Sequence, residues 1–349
     1  MKLKTFIILS PGFPKNETDS TCLPFLQNFV MELKSQYPAI EIVVLAFDYP
    51  FVAKEYDWYN TKVFSFNGWQ KKILGKLLKW RKVWRRLSEY ERNSEVVGLL
   101  SLWCGECAYI ATRFSRSKKL LHYCWILGQD AKPGNKYVKR MGPGANDLIA
   151  ISDFIQKEFE KNYAIRPLQV IPVGIKPDNI GLANKKRDID ILGVGSLIKL
   201  KRYDQMIEIV YEVRKSFPEI RVVILGKGPE MENLKKMVAT LGLGKNITLT
   251  GELSHAEVLE MMTRTKVFLH PSNYEGLGAV CLEALQAGCH LISFVRSVEN
   301  NFGHWYIAES KEEMIAKTLS LLGNPTLQFE STRTFTIEDS VKRVMNLYS

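Results

Sequence analysis

The second half of the chain alternates short apolar runs with amphipathic stretches. "DIDILGVGS" (188–196) has the profile of a strand, and "RYDQMIEIVYEVRKSFP" that of a helix stopped by proline. "RVVILGKG" (221–228) predicts a strand, and "PEMENLKKMVATLGL" a helix with proline near its first turn. "NITLTGEL", "HAEVLEMMTRT", "KVFLHPS", "EGLGAVCLEALQAGC" and "HLISFV" continue the alternation. Continuous apolar strands separated by helices mean a parallel sheet covered on both faces.

The first half repeats this pattern less regularly, with strands expected at 4–10, 40–47, 95–102, 119–127, 147–152 and 168–171. A turn-rich, charged stretch at 173–188 is the expected junction. The α/β reading is therefore two Rossmann-like, doubly wound domains, 1–175 and 176–330, facing a central cleft. A closing segment, 331–349, is expected to cross back to the first domain.

Charge adds an asymmetry. Residues 1–175 hold 26 Lys and Arg against 16 Asp and Glu, and residues 176–349 hold 22 against 21. The excess of the first half points to an anionic partner. "TFIIL" is too short for a signal core, and no run approaches the roughly 20 apolar residues of a membrane helix. With six scattered cysteines, the expected setting is the cytoplasm, with reduced thiols.

Two acids stand out in an otherwise apolar stretch: Glu275, just before Gly276, Leu277 and Gly278, and Glu283 in the helix that follows. An unpaired buried carboxylate costs several kcal/mol, so each needs a partner or a polar ligand. The glycine loop at a helix start suits a phosphate, while carboxylates beside a diphosphate suit hydroxyl groups. A sugar-plus-ribose ligand satisfies both demands.

"PSNYEGLGAVCLEALQAG" resembles the E-x7-E donor motif of retaining GT-B glycosyltransferases of glycosyltransferase family 4. "GVGSLIKLKRYDQMIE", "ILGKGPEMENLKKM" and "VIPVGIKP" are similar to further parts of that family, and "SVKRVMNLY" to its tail helix. The resemblance implies that Glu275 contacts the transferred sugar and Glu283 the ribose, with Gly276, Leu277 and Gly278 on the diphosphate. It implies that Lys201 neutralises the leaving group and that Gly12, in "SPGFP", belongs to a loop closing over the donor. Ser196 stands where the family often has arginine, leaving Arg202 or Lys199 to supply that charge. Leu127-Gly128-Gln129-Asp130 replaces a His-Gly-x-Asp pattern, with Asp130 a candidate for the acceptor.

Other motifs carry less. "WCGEC" (103–107) mimics a redox pair, and Cys104, Cys107, His122 and Cys124 mimic a zinc set with unusual spacing. Both are read as packing. In "DID", Asp188 is read as solvated linker charge and Asp190 as a strand edge, so no metal is expected. "GVGSLI" lacks the third glycine of a dinucleotide fingerprint, which leaves a nicotinamide enzyme a weak alternative.

"KKILGKLLKWRKVWRRLS" (71–88) holds eight basic residues and no acid, with Ile73, Leu77, Trp80, Trp84 and Leu87 at helical spacing. One reading is a helix packed on its own domain. The other, favoured here, is a membrane-surface helix offering Lys79, Trp80, Lys82, Trp84, Arg85 and Arg86 to anionic lipid.

The expected activity is retaining, metal- and cofactor-independent sugar transfer from a UDP- or GDP-sugar to a glycan or lipid-linked acceptor. The expected role is bacterial polysaccharide or lipopolysaccharide synthesis, in the cytoplasm or on the inner membrane face. The alternatives are a nucleotide-sugar epimerase of the same fold and a non-catalytic nucleotide-sugar or lipid-binding protein. No nucleic-acid motif accompanies the basic run.

Overall fold

The computed structural model describes residues 2–68, 73–176 and 186–349. It divides into two compact units, Met1–Gly174 with Ile337–Ser349, and Ile175–Thr336. Most of the stretch 173–188, read as the junction, lies outside the described residues.

The first unit is built on an eight-stranded sheet. Its strands are β1 (Lys4–Gly12), β2 (Ile40–Tyr49), β3 (Lys54–Trp58), β4 (Thr61–Ser65), β5 (Glu95–Leu102), β6 (His122–Ile126), β7 (Leu148–Ala150) and β8 (Gln169–Val170). The order is β3-β4-β2-β1-β5-β6-β7-β8, and the β3–β4 pair is antiparallel. That hairpin does not emerge from the apolar pattern because β3 is a largely exposed edge strand with a charged sequence. Helices α1 (Pro24–Gln36), α2 (Ile73–Asn93), α3 (Glu106–Lys118), α4 (Lys136–Met141) and α5 (Asp153–Tyr163) connect the strands. Ile7, Leu9, Val43, Leu45, Val83, Leu87 and Phe114 share one core.

Helix α11 (Ile337–Met345) is fastened to this unit by side chains. Ser340 donates to the Pro172 carbonyl at 2.7 Å and accepts from the Gly174 N–H at 2.9 Å. Tyr348 donates to the Leu99 carbonyl at 2.7 Å and meets Phe6 and Tyr123 edge-on. A Cβ on Gly98 would lie 2.2 Å from the Tyr348 ring, so this seat requires glycine.

The second unit carries six parallel strands in the order β11-β10-β9-β12-β13-β14. They are β9 (Ile189–Val194), β10 (Val222–Leu225), β11 (Ile247–Gly251), β12 (Thr265–His270), β13 (His290–Ser293) and β14 (Trp305–Ile307). Between them lie α6 (Tyr203–Val213), α7 (Met231–Thr240), α8 (His255–Thr263), α9 (Ala279–Gln286) and α10 (Lys311–Leu322). Ile191, Ile207, Val210, Val222, Ile224 and Val267 form the centre of its core.

Asp188 is not the solvated charge its linker position suggests. Its carboxylate takes Arg264 on both oxygens, at 2.8 and 2.6 Å, and lies 3.2 Å from Arg221. The Arg264 hydrogen bonds hold it down to about 2 against burial. Asp190 pairs with Lys266 at 2.8 Å, so both acids of "DID" brace strand starts.

Candidate functional site

At the carboxyl edge of the second sheet, the exits of β9 and β10 run against each other. A Cβ on Gly226 would fall 1.8 Å from the Gly195 carbonyl oxygen, and one on Gly228 would fall 2.3 Å from that of Leu197. The Leu197 N–H donates to Lys227 at 2.9 Å, and the Glu230 N–H to Leu197 at 3.0 Å. This contact fixes the short 3-10 turn Lys199–Lys201 that follows.

That turn is tied in turn to the loop after β12. Ser272 donates to the Leu200 carbonyl at 3.2 Å and to that of Tyr274 at 2.9 Å. Lys201 and Glu275, separated by 74 residues, therefore meet in an ion pair at Glu275 Oε2. His270, buried at the end of β12, brings its Nε2 to within 2.8 Å of the same oxygen. Burial pushes the Glu275 carboxyl up, but the His270 hydrogen bond and the Lys201 charge outweigh it and hold the group at about 2. Glu275 is therefore a carboxylate at any working pH.

Gly278 begins α9 with φ 71°, a left-handed conformation that favours glycine, and a Cβ there would crowd Glu275 Cγ at 3.1 Å. Leu277 is buried, and its carbonyl accepts from Ser297 at 2.5 Å. The first turn of α9 offers N–H groups and the positive end of its dipole beside the Lys201–Glu275 pair. Glu283, farther along α9, lies 2.8 Å from His255 Nε2.

Ser196 is exposed on the β9 loop. Arg202, at φ 54°, and Lys199 line a cavity of about 310 Å³ with Glu230 and Asp204. Of the three nearby cations, Lys201 is the one ion-paired with Glu275; Arg202 instead lies 3.5 Å from Asp204.

In the first unit, Gly12 ends β1, where a Cβ would make a tight contact with Tyr49 Cβ at 3.2 Å. Asp130, the candidate for the acceptor, is engaged by the main chain in this structure. Its oxygens accept main-chain N–H groups from Cys104 at 2.7 Å, Gly128 at 2.8 Å and Leu127 at 3.2 Å. Burial pushes its carboxyl up to about 6 in spite of these donors. Asp130 organises two loops. Cys104 and Cys107 are buried, and burial pushes the Cys107 thiol up, the opposite of a redox-active pair. Among the described residues, no three His, Cys, Asp or Glu side chains gather as a metal site.

Helix α2 is rotated relative to the membrane-facing reading, and residues 71–72 and the Ile73 side chain lie outside the described residues. Lys79 is buried between Asp48 at 2.8 Å and Glu106 at 3.0 Å. Trp80 donates to Glu106, and Trp84 packs edge-on against Phe114. Arg86 lies over Phe64 and pairs with Glu89 at 2.9 Å. These four residues face the domain because Val83 and Leu87 turn the helix inward. The exposed stripe is instead Leu74, Leu77 and Leu78, continued by Arg81, Lys82 and Arg85. Leu77 therefore moves from the packed face to the surface.

Sequence reasoning did not anticipate His270, His255 or Ser272. A histidine five positions before Glu275 is the available signal for the first, and Ser272 lies within the motif segment itself; His255 is joined to the site only by the fold.

Residues 177–328 match the family described as glycosyl transferases group 1. The gpi3 subunit of phosphatidylinositol N-acetylglucosaminyltransferase from Schizosaccharomyces pombe is 27% identical over 164 residues, 46% of this chain and 36% of that protein. The GtfA subunit of the UDP-N-acetylglucosamine–peptide N-acetylglucosaminyltransferase of Streptococcus pneumoniae serotype 4 is 28% identical over 144 residues, 41% of this chain and 28% of that protein. The GDP-mannose-dependent alpha-(1-6)-phosphatidylinositol monomannoside mannosyltransferase of Mycobacterium tuberculosis is 24% identical over 175 residues, 45% of this chain and 46% of that protein. These matches span less than half the length of each relative. Among solved structures, TarM superposes with a TM-score of 0.71 at 13% identity, covering 100% of this chain and 99% of that one. Anabaena HepE in complex with UDP and glucose gives 0.67 at 15% identity, covering 97% and 94%. The fold is GT-B, with two Rossmann-like units.

Proposed function

We propose, from a second unit that matches the family described as glycosyl transferases group 1, that this chain moves a sugar from a nucleoside diphosphate to an acceptor with retention of configuration. The observation that carries the reading is the meeting of Lys201 and Glu275 beside the start of α9. The departing diphosphate is the charge the site must stabilise. Lys201 and the first-turn N–H groups of α9 supply fixed positive potential there. Glu275, held ionised, accepts hydrogen bonds from hydroxyls of the transferred hexose, and Glu283 those of the ribose. Lys201 and Glu275 neutralise each other in this structure; a bound donor takes each as a separate partner.

Relatives named for UDP-N-acetylglucosamine and GDP-mannose support either nucleotide as the donor. Relatives named for phosphatidylinositol support a lipid-linked acceptor. An acceptor for bacterial polysaccharide or lipopolysaccharide synthesis fits the same chemistry. The stripe of Leu74, Leu77 and Leu78, running into Arg81, Lys82 and Arg85, supports seating on an anionic membrane surface. No described helix is long and apolar enough to cross a membrane.

Calorimetric titration with UDP, GDP and their sugars tests the donor assignment. Binding of one nucleoside diphosphate, weakened by Lys201→Ala, is expected; binding of neither would remove the proposal.

A further inference from the structure

His255 is the first residue of α8, directly behind its Ser254 cap. The Ser254 hydroxyl accepts from the Glu257 N–H at 3.3 Å, and Glu257 Oε2 accepts from the Ser254 N–H at 2.8 Å. This reciprocal cap fixes the backbone from which the imidazole projects. Its Nε2 lies 2.8 Å from Glu283 Oε1, on a different helix and 28 residues away. The Glu283 side chain is only 17% exposed, a depth at which an ionised carboxylate needs a donor.

The other charged groups around α8 and α9 are engaged elsewhere, Arg187 by the Met262, Thr265 and Ala287 carbonyls. Glu257 is committed to the cap, and Glu252, just before α8, pairs with Lys227. On the strands packed against α8, Lys266 and Asp190 pair with each other at 2.8 Å, and His270 is engaged by Glu275. Arg264, at the far end of α8, is held by Asp188. A helix N-terminus disfavours a cation, yet the hydrogen bond His255 donates to Glu283 raises its pKa above the ordinary value, against burial.

We propose that His255 is a positioning residue for the nucleotide, holding Glu283 by Oε1 so that Oε2 is presented to the hydroxyl pair of a ribose. The proposal rests on the reading of Glu283 as the ribose contact. Protonated His255 also cancels a negative charge close to where a diphosphate binds. Nucleotide affinity therefore falls as pH rises and the imidazole loses its proton.

The test is calorimetric titration of UDP and GDP, and of their 2′,3′-dideoxy analogues, between about pH 6 and about pH 9. For whichever ribonucleotide binds, wild-type affinity is expected to fall severalfold across this range. His255→Ala should weaken binding about tenfold at the acid end, as expected for a lost charge-assisted contact. His255→Gln keeps an N–H donor without a titrating group, so it should retain much of the affinity with a flat pH profile. The dideoxy analogues should lose the part of this dependence that runs through the ribose hydroxyls and keep only the smaller charge effect on the diphosphate. If Glu283→Ala weakens ribonucleotide binding while both His255 variants behave as wild type, the positioning role is wrong and the ribose reading stands. If Glu283→Ala binds ribo- and dideoxynucleotides as the wild type does, the ribose reading itself is wrong and His255 falls with it.

Discussion

His270 Nε2 lies 2.8 Å from Glu275 Oε2, and Lys201 meets the same oxygen, so one carboxylate atom joins the end of β12 to the turn after β9. Both partners use Oε2, and the glycine-capped start of α9 lies directly behind. A site assembled this way has both charges in place before any ligand arrives, and a donor exchanges the Lys201–Glu275 contact for its own.

Glu275→Gln tests the division of labour between the two acids. Turnover should fall about 10²–10³-fold, the scale of losing one preorganised polar contact to the reacting group. Affinity for free nucleoside diphosphate should hold or tighten, because Lys201 is released from its pair. Glu283→Ala should instead weaken diphosphate binding by about 1–3 kcal/mol. Equal loss of diphosphate affinity in both variants would contradict these roles.

The Glu275 carboxyl also sets an acid limit. Its folded pKa of about 2 lies below the ordinary 4.5, so its stabilisation is present above pH 4.5 and is lost as pH falls towards 2. Lys201→Met removes part of what holds it there. Thermal unfolding should show wild type ahead of Lys201→Met near neutrality, by at most about 3 kcal/mol. The gap should close as pH falls through this window; a gap constant with pH would mean that the pair does not depress the carboxyl.

Helix α2 separates buried from exposed cations. Lys79→Gln leaves Asp48 and Glu106 without their shared partner and should cost about 3 kcal/mol in chemical denaturation. Lys82→Gln with Arg85→Gln should change stability by less than about 1 kcal/mol but reduce sedimentation with anionic vesicles. Changing Leu74, Leu77 and Leu78 to serine should abolish the salt-resistant part of that binding. Vesicle binding untouched by the leucine changes would remove the membrane assignment.

Gly98 predicts a packing effect remote from the site. Gly98→Ala drives a methyl into the Tyr348 ring and should cost about 1–3 kcal/mol in thermal unfolding. Tyr348→Ala in the same background should recover part of that loss. No recovery would mean that the tail is not what the glycine accommodates.

Much of the second unit is legible in the sequence because fully buried parallel strands, such as those around Ile191, Ile224 and Phe268, are unbroken apolar runs. The Glu275–Gly278 loop follows from its place between such a strand and a helix. The β3–β4 hairpin and three-residue β14 are less legible, being polar or too short to show a period. The orientation of α2 is hidden in the sequence for a different reason. Helical spacing groups Leu77 with Trp80 and Trp84, but only Asp48 and Glu106, brought from β2 and α3, explain why Lys79 is inside and Leu77 outside. The His270–Glu275 and His255–Glu283 contacts likewise depend on side chains meeting after the sheet has formed.

Incubating the protein with labelled UDP- and GDP-sugars and membranes carrying glycan and lipid acceptors, and following both products, separates sugar transfer from its alternatives. Label should enter the lipid or glycan fraction as nucleoside diphosphate is released one for one, and Glu275→Gln should cut both by about 10²–10³-fold, with Lys201→Ala also sharply reducing them. Label remaining on the nucleotide as an epimerised sugar, or transfer undiminished in Glu275→Gln, would contradict this assignment.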